Sequence, residues 1–266
     1  MRGGCDGWQN EEDDPRDDYD ITEEGRVHPS SLSGSDQADF WEPGELLLRS
    51  QPRLEDHIDG IVLSLSQATG CGFANEIGAL SRALATWVAD LPASERNHHS
   101  APFGLLEHSL DAAHRFISWA ARSQTVDALR SRWLVVGVTL ALFHDVGKLR
   151  DLEVAEPVHG ELWEPLCEPV THFRASHQLP QWGRRDFDWL PGRGAHTHDQ
   201  DAFKLVDTIL PPDFTPAFRR DLRSGMEAIG CCSPKGLEDY PWPLPYLSVA
   251  VRHADRESAS FREVSR

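Results

Sequence analysis

Residues 140–149, LALFHDVGKL, set an imidazole and a carboxylate side by side, His144-Asp145, at the end of an apolar run. Burying such a pair is costly unless something compensates its charge. Neighbouring side chains on a helix diverge by about 100°, so both can reach one ion in front of the helix end. Lys148 follows three and four residues later on the same face. Gly147 removes a side chain where a substrate or another backbone can approach. Two readings stand at this point. One is a helix C-terminus carrying a surface His–Asp pair and a Gly–Lys cap; the other is half of a metal site.

Two further residues favour the metal. His108 sits mid-helix in GLLEHSLDAA with Leu105 and Ala112 on its side, so it faces the interior as a hydrogen-bonded core residue or as a ligand. Asp255, in VAVRHADRES, follows an apolar helical segment where an unpaired carboxylate is expensive. A His, a His-Asp doublet and an Asp on three separate apolar helices are hard to explain as independent surface residues. Imidazole and carboxylate together suit Mn, Fe, Zn, Ni or Mg without choosing among them. The chain holds 13 histidines, so isolated ones are discounted: His28, His57, His114 and His159 read as surface residues.

The elements that must carry these groups are helical. NEIGALSRALATWVADLP spaces Ile77, Leu80, Leu84, Trp87, Val88 and Leu91 for one helix, closed by Pro92. GLLEHSLDAAHRFISWAARS repeats the pattern through Leu105, Leu106, Leu110, Ala113, Phe116, Ile117 and Ala120. A third, more buried helix is predicted over 126–148, with further helices over 199–210, 214–229 and through YLSVAVRHADRESASF. Between them, 150–197 is rich in Pro, Gly and Trp and reads as a long irregular insertion, a length usually tied to function or disorder. The fold class is all-α.

Charge divides the chain. Residues 1–45 carry 14 acidic groups against 3 arginines, out of a net charge of −17 for the whole, and show almost no helical or strand period. They read as a disordered acidic tail, leaving 46–266 as the folded domain. That domain is mildly acidic, which neither excludes nor supports a nucleic-acid partner. The longest apolar stretch, Trp133 to Phe143, is too short to span a bilayer, and MRGGCDGWQNEEDD lacks the apolar core of a signal peptide. Cysteines at 5, 71, 167, 231 and 232 form no CxxC pair and fit free thiols in a reducing compartment. The expectation is a cytoplasmic protein without a membrane partner.

Taken together, His108, His144-Asp145, Asp255 and the Gly147-Lys148 step resemble the HD-domain phosphohydrolase superfamily, whose fold is a helical bundle. LPASERNHHSAPFGLLEHSLDAA, AHTHDQDAFKLVDTILPP and the closing HADRES narrow this. They are similar to the HD-type relaxases of conjugative and integrative elements, the MobH or TraI-like family, over about residues 86–260. The resemblance implies that His108, His144, Asp145 and Asp255 hold a divalent metal, and that His198 serves a second one, with His196 its competitor. It implies catalytic roles for Asp145, Lys148 and His99, with His98, His196 and Arg193 as second-site or phosphate contacts. Gly230-Cys231-Cys232 stands where some two-metal relatives carry a His-His pair.

The activity so implied is phosphodiester cleavage in DNA, single-stranded or at a transfer origin, alongside other transfer proteins of a mobile element. None of Tyr19, Tyr240 and Tyr246 has a metal-adjacent signature, so a metal-activated water is expected in place of a tyrosine nucleophile. Arg184-Arg185, Arg193 and Arg219-Arg220 are the phosphate contacts on offer. Two alternatives remain: a phosphohydrolase acting on nucleotides or RNA 3′ ends, and a non-catalytic accessory module that only binds.

Overall fold

The computed structural model describes residues 46–69, 71–96, 99–122, 131–156, 159–179, 187–190, 197–212, 214–230 and 234–260. The acidic tail, His98, Arg184-Arg185, Arg193, His196 and Cys231-Cys232 lie outside them. Within them the protein is helical. Helix α1 spans Pro52–Thr69, α2 Cys71–Val88, α3 Gly104–Arg122 and α4 Ser131–Phe143. After a 3-10 helix at Val146–Asp151 and the strand β1 at Leu152–Val154 come α5 at Val170–Ser176 and β2 at Phe187–Trp189. Then follow α6 at Thr197–Ile209, α7 at Pro216–Gly230, the single turn α8 at Pro234–Leu237 and α9 at Leu244–Ser260.

Helix α4 is the centre. Its residues Leu134, Val135, Val136, Val138 and Leu140 to Phe143 are all buried, and it touches α1, α2, α3, α7 and α9. A helix apolar on every side belongs inside a bundle. Close packing is bought with glycine: a Cβ at Gly137 would lie 2.2 Å from the Phe116 ring of α3. The amphipathic neighbours bury the stripes their spacing predicts. Ile77, Leu80, Leu84 and Trp87 on α2 and Leu105, Leu106, Leu110, Phe116 and Ile117 on α3 all enter the core. Helices α3 and α9 run antiparallel, for His108 meets Ser258 at one end of the pair and Trp119 meets Tyr246 at the other.

Helix α1 is not among the individual helices predicted, and two further details differ from the reading of the sequence. Helix α4 ends at Phe143, not Lys148: the chain turns at His144-Asp145 and tightens into the 3-10 helix. The 150–197 stretch also contains regular structure. β1 and β2 pair antiparallel, Leu152 opposite Trp189 and Val154 opposite Phe187. The short helix α5 is anchored to α2 by Thr171, whose hydroxyl donates to the Thr86 carbonyl at 2.9 Å, and to the turn after α2 by a buried Arg174–Asp90 ion pair. Strands of three residues leave too little alternation for a sequence pattern to register.

Candidate metal centre

Three elements bring together one ring of candidate ligand atoms. His108 sits one turn into α3 and is fully buried, because the same face carries Leu105 and Ala112 into the core. His144 and Asp145 occupy the turn after α4, whose apolar body fixes where they emerge. Asp255 comes from α9, on the solvent edge of that helix's buried stripe, its side chain 36% exposed. His108 Nε2 lies 3.2 Å from Asp145 Oδ2 and 3.2 Å from Asp255 Oδ1. His144 Nε2 lies 3.6 Å and 3.5 Å from the same two oxygens. All four ligand atoms fall within 4.8 Å of one another.

These spacings fit a shared cation. Bonds of about 2.0–2.2 Å to a common ion separate neighbouring ligands by roughly 3.0–3.5 Å. The outer nitrogens are already anchored. His144 Nδ1 donates to the Ala141 carbonyl at 2.8 Å, which leaves Nε2 as a lone pair. That buried Nε2 makes no hydrogen bond of ordinary geometry. An imidazole nitrogen aimed at carboxylates with its proton on the far side has a metal as its natural complement.

The electrostatics agree. Burial alone would push the Asp145 carboxyl up, but His144, Lys148 and His108 outweigh it and hold the group well below the usual carboxylate range. Asp255 is likewise lowered, against its burial, by the adjoining His108 and His144 imidazoles. For His144, burial works downward and is overcome by Asp145 and Asp255, so its pKa is raised. Carboxylates kept ionised beside imidazoles are a set ready to exchange protons for a cation.

Lys148 does share the face of the doublet, and its Nζ donates to Asp145 Oδ2. His99 flanks the centre without joining the group of four: its ring centroid is 5.3 Å from that of His108, which is 5.2 Å from that of His144. Its backbone is left-handed, with φ +51. Its carbonyl accepts from Ala93 N at 2.9 Å, and a Cβ on Gly104 would sit 1.9 Å from that oxygen. The glycine that opens α3 therefore lets the His99 loop close over the helix start.

A profile of the TraI_2 family, whose description reads "Putative helicase", matches residues 41–215, well over half of the chain. The chain belongs to the TraI_2 family. No curated protein and no solved structure matches it. The TraI_2 match spans His99, His108, His144, Asp145 and Lys148 and stops before Asp255, so it is folding that brings Asp255, the fourth candidate ligand, to the TraI_2 segment.

Other candidates fall elsewhere. His198 lies in the first turn of α6, a helix that packs on the 3-10 helix bearing Lys148; its side chain is outside the described residues. Arg219 is not available to a phosphate. Its guanidinium donates to the carbonyls of Asp207, Leu210 and Pro211, satisfying the C-terminal end of α6, while Arg220 is exposed. His57 corrects the surface reading: it is half-buried against His114, ring centroids 5.8 Å apart. Burial, then His114, lowers its pKa. His114 and His159 are exposed as expected.

Two residues near the centre were given no role from the sequence, although Ser258 closes the HADRES phrase. Glu107 puts Oε2 3.8 Å from His99 Nδ1 and Oε1 2.5 Å from Arg53. Ser258, fully buried, stands with its hydroxyl 2.9 Å from His108 Nδ1. The available signal for Ser258 was its spacing, three residues after Asp255 on one helix face.

Proposed function

We propose that this chain is a metal-dependent phosphodiesterase of the HD-domain type, acting on DNA in the transfer of a mobile element. The observation that carries the reading is the convergence of His108 Nε2, His144 Nε2, Asp145 Oδ2 and Asp255 Oδ1 within one ion's reach. Family membership supports a nucleic-acid substrate. The 266 residues contain no G-x-x-x-x-G-K-[ST] phosphate loop, so hydrolysis at the His/Asp centre is a better match to these residues than a nucleotide-driven motor.

His108, His144, Asp145 and Asp255 would hold the cation. When bound, it polarises a phosphoryl oxygen and makes an attacking water more acidic. The protein's own groups do the rest. Asp145 orients Lys148, whose ammonium offsets the charge that builds on the phosphoryl oxygens. His99, whose ring lies beside that of His108, would approach a substrate phosphate, and the buried α3–α4–α9 contacts keep the donors fixed. In the overall reaction water adds to phosphorus, one P–O ester bond breaks, and the proton ends on the leaving oxygen.

The deciding experiment pairs elemental analysis of the purified protein with cleavage assays on single-stranded DNA, RNA and nucleotides. The expected result is one or two equivalents of a divalent metal, and DNA cleavage that stops on chelation. Cleavage of RNA or nucleotides with DNA untouched would move the substrate to the alternative class. Binding of DNA with no hydrolysis under Mn, Fe, Zn, Ni or Mg would overturn the enzymatic reading.

A further inference from the structure

The two histidines of the centre are held from behind by different chemistry. His144 Nδ1 meets a carbonyl, that of Ala141, which can only accept. His108 Nδ1 meets the Ser258 hydroxyl, which can donate or accept. His108 Nε2 faces two carboxylate oxygens, each at 3.2 Å. A neutral imidazole has one N–H. While Nε2–H points at Asp145 and Asp255, Nδ1 needs a donor; once Nε2 serves as a ligand, Nδ1–H needs an acceptor. A hydroxyl meets both needs, a carbonyl only the second, and a methyl group neither. Ser258 is 0% exposed, and so is His108, so this contact is shielded from solvent.

We infer that Ser258 is a positioning residue of the metal centre: its buried hydroxyl on α9 fixes the ring of His108 on α3 and presents Nε2 to the ion. The placement adds a second link. Asp255 and Ser258 share one face of α9, so the helix that supplies a carboxylate ligand also supplies the partner that orients an imidazole ligand. Any slide of α9 along α3 would disturb both together. Partners behind metal-bound histidines commonly govern affinity by about 10–100-fold, and a hydroxyl in this position does so without touching the ion.

The inference rests on the metal-centre reading, and the test separates the two. Cobalt(II) is titrated into metal-free wild type, Ser258→Ala, Ser258→Thr and His144→Ala, following heat release and ligand-field absorption, with circular dichroism reporting the fold. The expected result is cobalt binding by wild type, a loss of about 10–100-fold in affinity for Ser258→Ala with unchanged helicity, and recovery in Ser258→Thr. Equal affinity in wild type and Ser258→Ala overturns the role of Ser258 and leaves the centre intact. Equal binding by wild type and His144→Ala, or none by wild type, overturns the centre and the inference with it. Should the threonine methyl crowd the buried site, 15N spectra of the zinc-loaded wild type decide the matter. A protonated His108 Nδ1 is expected, and zinc on Nδ1 overturns the inference.

Discussion

His108 and His114 on helix α3 each pair with an imidazole from another element, and of the two only His108 stands in a group that could hold a metal ion. His108 and His144 lie 5.2 Å apart, ring to ring; His57 and His114 lie 5.8 Å apart. The distances barely differ, but the surroundings do. Behind the first pair stand the Ala141 carbonyl and the Ser258 hydroxyl, and in front stand two carboxylates. The second pair has His57 half-buried and His114 exposed. Its dominant influences are burial and mutual repulsion, with Asp111 and Glu107 acting more weakly. One His is raised and the other lowered by the balance of neighbours. Proximity of imidazoles is therefore a poor sign of a metal; anchored outer nitrogens and facing carboxylates are a good one.

The largest effects should come from breaking the first pair's carboxylate front. Asp145→Ala or His144→Ala is expected to lower metal affinity by more than about 100-fold, beyond the range for residues behind a ligand, and to abolish hydrolysis in parallel. His57→Ala and His114→Ala should leave both unchanged. Full metal occupancy in Asp145→Ala, measured by elemental analysis, would remove Asp145 from the centre. Next in size is linkage to folding. Metal at about 100 times its dissociation constant should stabilise the protein by about 2.7 kcal/mol, which is about 5–10 °C in Tm at this chain length. Chelation should erase that shift in wild type and in His57→Ala alike, and should have nothing to erase in His108→Ala.

How far the sequence could reveal this contrast depends on which interactions are local. The apolar stripes of α2 and α3 repeat every three or four residues, so their buried faces were legible. His144-Asp145 stood out because a charged doublet ends an apolar run, and Asp255 because it follows one. The end of α4 at Phe143 was not legible, since the tightening into a 3-10 helix changes no period. Nor was the commitment of Arg219, whose carbonyl partners lie in the last turn of α6 and just after it. His57 looked solvated in a polar stretch, and only the packing of α1 on α3 buries it beside His114. Ser258 and Glu107 reach across 150 and 8 residues to their histidine partners; the spacing of Ser258 from Asp255 was legible, but which histidine each residue meets was not.

Acidity should separate the pairs in the metal-free protein. The folded His57 binds its proton less readily than the unfolded one. Its contribution is favourable above the unfolded value of about 6.5 and is lost as pH falls through the lower folded value. His144 has the opposite sign: its contribution is present below about 6.5 and is lost as pH rises through the raised folded value. Urea unfolding in chelator at several pH values should therefore show His57→Ala gaining on wild type as pH falls below about 6.5. A flat difference between the two would mean that His57 is not depressed by its neighbours.

The smallest expected effect sharpens the comparison from the carboxylate side. Asp111 accepts from Arg115 at 2.7 Å in an i, i+4 pair on α3, and it also pulls the His57 pKa upward. Asp111→Asn should cost only about 0.2–0.5 kcal/mol of stability, the size of a helix surface pair, while lowering the His57 pKa further. Proton NMR titration of the His57 ring reads the second effect independently of the first. If the ring did not move, the carboxylate would have no hold on it, and burial with His114 would account for the whole depression. If it moved as expected, the two pairs would differ in degree along one axis: how many carboxylates face the imidazoles, and how closely.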